Sequence, residues 1–414
     1  MRPDGKPVLQ WPGLGLACGL FMPKHTAGPC ITRFLAIRFL TRVPVGLSSA
    51  PHSTAVHGAS PVADCASFPR LLADIGGTNA RFGWVDAPGA PVSRVQRLSV
   101  PGFAGPAQAA AAYLDSLARQ LGAGYRAPRR AAFAVATAVA GDHIDFTNSH
   151  WAFSRAEVQA ALRLDGLLML NDFESLALSL PCLTPAQVRA HAGAMPLATD
   201  GAAAGGGAGV GGDVAKRTLA VVGPGTGLGV GAVVGTRQGW VALPGEGGHV
   251  TLAAADPLES ALLACVRQQY AHVSAERLLS GIGLPLLHQS LGQVLGLSAG
   301  LPGAALTSAQ IVDAAEAGND AACGQTLDMF CALLGGFAGN VALTLGARGG
   351  LYIGGGIVPR FADRFFASAF RERFEAKGRF RDYLAAVPTA LITDTLVALS
   401  GAALAIEQQV ALGD

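Results

Sequence analysis

In "LLADIGGTNARFG" (residues 71–83) an apolar run meets an acid, two glycines and a Thr-Asn pair, and a second apolar run follows Arg81. Leu71, Leu72 and Ala73 have the character of a buried strand, and the glycines have that of a tight turn. On these residues alone the segment is a hairpin whose glycines supply backbone freedom. A Gly-rich turn also presents consecutive backbone N–H groups that can receive an anion, and the Thr78 hydroxyl adds a donor.

A second copy of the plan tips the balance. "LAVVGPGTGLGVGAVV" (219–234) again runs from apolar strand through a glycine turn with Thr226 into a second apolar strand. The two copies lie about 150 residues apart, one for each half of the chain. Two such turns facing one cleft form the halves of a single anion site. No G-x-x-x-x-G-K-[ST] occurs anywhere, and no glycine set in either loop fits G-x-G-x-x-G, so neither a P-loop nor a dinucleotide fingerprint accounts for them.

With 414 residues, 50% of them hydrophobic and 14% charged, the chain can build two packed cores and is not mainly disordered. A net charge of +2 offers nothing to nucleic acid. The charge is uneven, however. Residues 1–68 hold six Lys/Arg against Asp4 and Asp64, whereas the remainder has 24 basic and 26 acidic residues. Rich in Pro, Ser, His and Gly and without a sustained period, this leading segment is expected to be poorly ordered and dispensable, with Met22 or a later codon as a candidate start. Its apolar stretches, Leu14–Met22 and "FLAIRFL" (34–40), fall short of the ~20 residues that span a bilayer, so no membrane partner is expected. Seven scattered cysteines without a C-x-x-C pair suit reduced thiols in the cytoplasm.

From Leu71 onward, strands are expected at 71–75, 81–85, 131–139, 167–170, 218–222, 228–234 and 350–353. Helical patterns alternate with them near 106–120, 154–163, 256–270, 308–317 and 326–345, an α/β plan with mixed sheets. The tract "ATDGAAAGGGAGVGGD" (198–213) is a low-complexity loop.

Four further stretches carry polar residues at telling places. In "LLMLNDFESLALSL" (167–180), Asn171 and Asp172 end a buried strand and begin a short helix. Asn171 with Glu174 makes a capping box, which needs no catalysis. The carboxyl end of a strand is also where open α/β sheets place ligands, and a desolvated Asp172 could take a proton from a substrate hydroxyl. "LPGEGGHV" (243–250) sets Glu246 and His249 among glycines that forbid a good helix, leaving a polar turn or a ligand loop rather than a metal site. "AHVSAERLLSG" (271–281) reads as a helix with Ser274 as N-cap and Glu276 as an ordinary helical glutamate. "GGLYIGGGIVPR" (349–360) is a strand followed by Gly354, Gly355 and Gly356, a tight turn or a seat for a planar or phosphorylated ligand.

In order, "ADIGGTNAR", "TNSHWAFS" (147–154), "NDF", "GPGTGLG", "LPGEGGHV", "HVSAERLLSG" and "GGGIVPR" resemble the bacterial ATP-dependent glucokinase family of the hexokinase and actin-like ATPase superfamily, from about residue 71 to the C-terminus. The resemblance implies a two-domain actin-like (ribonuclease H-like) α/β fold with mixed sheets, flanking helices and a central cleft. Its domains would be a small one at 69–182 completed by the C-terminal helix at about 391–414, and a large one at 183–390. It implies ATP with Mg²⁺ at Asp74, Gly76, Gly77, Thr78 and Asn79, with Asp74 facing the metal indirectly, closed over by Gly223, Gly225, Thr226 and Gly227. Gly354, Gly355 and Gly356 would lie by the adenosine. Asn148, Asn171, Asp172, Glu246, His249 and Glu276 would hold D-glucose, with Asp172 as the base, in a cytoplasmic homodimer. A kinase for mannose or fructose, an actin-like ATPase without a sugar substrate, and a sugar-sensing regulator are the alternatives. Pro224, the long Gly/Ala tract and residues 1–68 depart from the family pattern.

Overall fold

The computed structural model describes residues 67–146, 149–191, 218–297 and 306–411. The expected poorly ordered segment and the 198–213 tract therefore lie outside the described residues, apart from Ser67 and Phe68. These two are buried, and the Arg70 guanidinium stacks 4.0 Å above the Phe68 ring, so packing reaches into the end of the segment expected to be poorly ordered.

Strands β1 (Arg70–Ile75), β2 (Asn79–Val85), β3 (Ser93–Ser99), β4 (Arg130–Val135), β5 (His143–Asp145), β6 (Ala152–Ser154) and β7 (Gly166–Asn171) occupy the first half. The second half holds β8 (Val188–Ala190), β9 (Thr218–Pro224), β10 (Leu228–Thr236), β11 (Gly239–Leu243), β12 (Gly350–Ile353) and β13 (Thr389–Ile392). The first sheet runs β3-β2-β1-β4-β7 and the second β11-β10-β9-β12-β13-β8. In each, an antiparallel meander of three strands is followed by two strands parallel to its first member, and β8 adds an antiparallel edge to the second. The glycine hairpins β1–β2 and β9–β10 thus hold equivalent places in two sheets of one topology, the structural counterpart of the internal copy. Central strands β4, β12 and β13 are buried nearly throughout because helices cover both faces. Strand β5 pairs with β6 in a small separate ribbon.

The helices are α1 (Pro106–Leu121), α2 (Arg155–Ala161), α3 (Asp172–Ser179), α4 (Pro257–Arg267), α5 (Leu284–Val294), α6 (Ser308–Glu316), α7 (Ala321–Leu345), α8 (Ala362–Ala367), α9 (Phe370–Glu375), α10 (Arg381–Ala385) and α11 (Val397–Ala411). Ser154, Asp256 and Asp320 cap α2, α4 and α7 through their side-chain oxygens, which fixes those starts. Helix α7 is long and apolar enough to cross a membrane, but it is mostly buried and supplies Phe330, Leu334 and Ala338 to the core around the second sheet. Phe82, Tyr113 and Phe133 anchor a core on the first sheet. A third cluster joins Leu72 and Ala132 of the first sheet to Val221, Tyr352 and Ile392 of the second through α3 and α11.

Two expectations are corrected. Residues 271–281 are not helical: Ala275 and Glu276 donate their N–H groups to the carbonyls of Val250 and Gly248, and Gly281 donates to Gly225. Only one turn forms after Ser274, with Arg277 donating to its hydroxyl and Leu279 to the Ala275 carbonyl, and it ends where Gly281 bonds outside the segment. The 131–139 strand stops at Val135, where Thr137 N–H turns back onto the Val135 carbonyl.

Candidate active site

Helix α3 begins where β7 ends, and its first turn carries the acid singled out from the sequence. The Asn171 Oδ1 accepts the N–H groups of Phe173 (2.9 Å) and Glu174 (3.4 Å), while its amide donates to the Thr137 carbonyl at 3.1 Å. Glu174 returns the capping box by accepting the Asn171 N–H. Asn171 therefore caps the helix and pins the 137 turn at once. Asp172 Oδ1 accepts the N–H of Phe173 at 2.9 Å. Burial pushes the Asp172 carboxyl up to about 6, the nearby Asp74 charge pushes the same way, and the hydrogen bonds from Phe173 and Asn171 pull against them. A carboxylate of that basicity is matched to accepting protons near neutral pH.

Asp74 stands opposite Arg81 in the β1–β2 register and accepts its guanidinium at 2.8 Å. Burial raises its pKa and Arg81 lowers it, with burial the stronger influence. Both hairpins close in the same way: Gly76 N–H donates to the Asn79 carbonyl (2.9 Å) and Gly225 N–H to the Gly227 carbonyl (2.8 Å). Thr78 and Thr226 at the two tips are exposed. None of Gly76, Gly77, Gly223, Gly225 or Gly227 has a positive φ, so the turns do not need glycine for its left-handed freedom. What the second hairpin needs is room. A methyl on Gly227 would strike the Glu276 carboxylate, and one on Gly223 or Gly229 would enter the Phe173 ring.

The remaining residues converge on this second hairpin. Glu276 Oε2 accepts the Leu228 N–H at 2.8 Å, and its Oε1 stands 3.9 Å from His249 Nδ1. His249 Nε2 is 3.9 Å from Glu246 Oε2, so three side chains from two loops face one another. Gly354 N–H donates to the Val222 carbonyl and Ile357 N–H to that of Pro224, which seats the triple glycine against the hairpin. Gly355 has φ +77° and lies against the Pro224 carbonyl, so both its conformation and its surroundings exclude a side chain. Asn148 lies outside the described residues.

The reading from sequence assigned nothing to Arg81 or Phe173. The partner of Asp74 was legible in principle, because a hairpin of this register sets Arg81 across from it. Gly229 and Gly231 alternate along β10, and small residues at period two on a strand signal a close approach.

No described group of three or more His, Cys, Asp or Glu side chains forms a self-sufficient metal cage. The Asp74 carboxylate, already bonded to Arg81, suits an indirect contact with a magnesium ion that takes most of its ligands from phosphates and water, which is how that ion is commonly bound.

The chain is similar to proteins of one known family. A family model described as Glucokinase matches residues 71–409. A glucokinase of Aromatoleum aromaticum is 45% identical over 345 residues, covering 83% of this chain and 96% of that one. A glucokinase of Neisseria meningitidis is 41% identical over 342 residues, with the same two coverages of 83% and 96%. Among solved structures, a glucokinase from an Antarctic psychrotroph superposes with a TM-score of 0.69 at 35% identity, covering 81% of this chain and 98% of that one. A glucokinase of Balamuthia mandrillaris shares the fold at a TM-score of 0.63 and 18% identity, over 84% of this chain and 96% of that one. With its glycine hairpins, its capped acid and these relatives, the chain belongs to the glucokinase family.

Proposed function

We propose that the cleft transfers the γ-phosphoryl group of ATP to the 6-hydroxyl of D-glucose, giving glucose 6-phosphate and ADP, with Asp172 as the general base. The observation that carries this reading is the half-buried carboxylate at the head of α3, with its pKa raised to about 6 by desolvation, on a helix packed against the second glycine hairpin. Such a group orients the attacking hydroxyl and holds its proton as the phosphoryl group leaves, while backbone donors supply positioning and charge stabilisation.

Gly76–Asn79 and Gly223–Gly227 cradle the phosphates, and Gly354–Gly356 lie beside the adenosine. Asn148, Asn171, Asp172, Glu246, His249 and Glu276 hold the hexose hydroxyls, and a sugar that covers such polar groups without pairing them is disfavoured. Asp74 faces, indirectly, the Mg²⁺ that accompanies the nucleotide; when bound, it neutralises charge on the transferred group. The fold divides into a small part at 69–182 with the C-terminal helix and a large part at 183–390, whose closure excludes water. Helix α11 packs on α3 and on β1, β2 and β4, which supports that division. The same family reading gives a cytoplasmic homodimer.

ADP formation with glucose, mannose, fructose or no sugar tests the assignment. Release dependent on glucose is expected; ATP hydrolysis indifferent to every sugar would overturn it, and a preference for another hexose would redirect it.

A further inference from the structure

We infer that Phe173 is a positioning residue, a peg whose ring, seated in the second phosphate hairpin, holds the Asp172 carboxylate in place; this rests on the reading of Asp172 as the base. Two independent contacts meet in this residue. Its backbone N–H donates to both Asn171 Oδ1 and Asp172 Oδ1 at 2.9 Å, so the position of Phe173 sets the direction of the acid. Its ring lies on Gly223 and Gly229, which face each other across β9 and β10. A Cβ on Gly223 would come within 2.5 Å of ring atom Cζ, a Cβ on Gly229 would overlap the ring, and one on Gly231 would stand 2.9 Å from the Phe173 carbonyl. Real carbon contacts do not reach such distances, so the three glycines form a slot shaped to this residue.

The slot belongs to the hairpin that closes over the phosphates, whereas the acid belongs to the helix that follows the first sheet. A rigid ring between them ties the proton acceptor to the phosphate cradle, and a displacement near 1 Å at such a junction costs on the order of 10²-fold in rate. An ordinary core aromatic would instead contribute to stability and leave the chemical step alone.

The test uses Phe173→Leu, Gly229→Ala and the double variant in the full chain, with kcat, both KM values, and the urea midpoint as a check of folding. Each single variant is expected to lower kcat at least tenfold with KM for glucose within about twofold. In the double variant the smaller side chain makes room for the added methyl, so kcat should be no worse than in either single variant. Wild-type kcat in folded Phe173→Leu, or losses that multiply in the double variant, would overturn the inference. If Gly229→Ala does not fold, recovery of a folded, active double variant still supports the fit, and its failure refutes it. Asp172→Asn separates the two readings: full activity there would sink the base, whereas loss there with wild-type kcat in Phe173→Leu would sink only the peg.

Discussion

Asp172→Asn should move activity and stability in opposite directions. In the folded protein the carboxyl titrates near 6 instead of 3.8, chiefly because it is buried, so above pH 6 the fold holds a charge that solvent would hold more comfortably. The sign follows by linkage: the folded state binds the proton more tightly, the penalty is complete above pH 6, and it is relieved as pH falls toward 3.8. At about 1.4 kcal/mol per pH unit, the shift corresponds to at most about 3 kcal/mol. The amide carries no charge and can still accept the Phe173 N–H. Urea unfolding at pH 8 should therefore show the variant more stable than the parent by up to that amount, with the difference shrinking at pH 5. Steady-state phosphorylation should fall by about 10²–10⁴, the usual contribution of a positioned base, equivalent to about 3–5 kcal/mol of barrier. In the parent, kcat/KM for glucose should drop about tenfold between pH 7 and pH 5 as the base protonates. A variant that loses both stability and rate, or a parent with flat kcat/KM over that range, would refute the reasoning.

Three other perturbations follow from the same structure. Gly227→Ala drives a methyl into the Glu276 carboxylate that accepts the Leu228 N–H, so KM for glucose should rise at least tenfold; unchanged kinetics would disconnect Glu276 from the sugar. Arg373 bonds both Asp256 and Glu259, and Glu259 is only 2% exposed, so Arg373→Ala should cost about 3–5 kcal/mol in urea unfolding by stranding a buried carboxylate; a loss under about 1 kcal/mol would contradict this. His191 lies among Phe365, Phe366 and Phe370, and burial, with Arg371 and Arg189 beside it, lowers its pKa to about 4 from 6.5. The neutral ring is favoured by the fold, so that stability is intact above pH 6.5 and is lost as pH falls toward 4, by up to about 3 kcal/mol. His191→Phe should flatten unfolding free energy over this window; an unchanged slope would place the acid sensitivity elsewhere.

The elements that could be read from the sequence are those whose signals are local. Apolar runs flanked by glycines marked β1, β2, β9 and β10, and the Asn171–Glu174 spacing marked the start of α3. Strands such as β13, with four residues, and β3, with exposed polar positions along an edge, carry too little pattern to stand out. The 271–281 segment shows the converse: Ser274 receives the Arg277 N–H as an N-cap would, but the turn it starts does not continue, because the Gly281 N–H goes to the Gly225 carbonyl from another part of the chain.

By itself, then, the sequence determined that two glycine hairpins of one design would form and that an acid would sit at a strand's carboxyl end, because strand, turn and cap preferences depend on neighbouring residues. The tertiary structure decided the surroundings of those residues. Burial beside Asp74 makes Asp172 basic. The β1–β2 register gives Asp74 its Arg81 partner. The glycines of the second hairpin remain bare for the Phe173 ring and the Glu276 carboxylate, not for left-handed turns. Desolvation and close packing are sums over atoms that are distant in the chain, and only folding brings those atoms together.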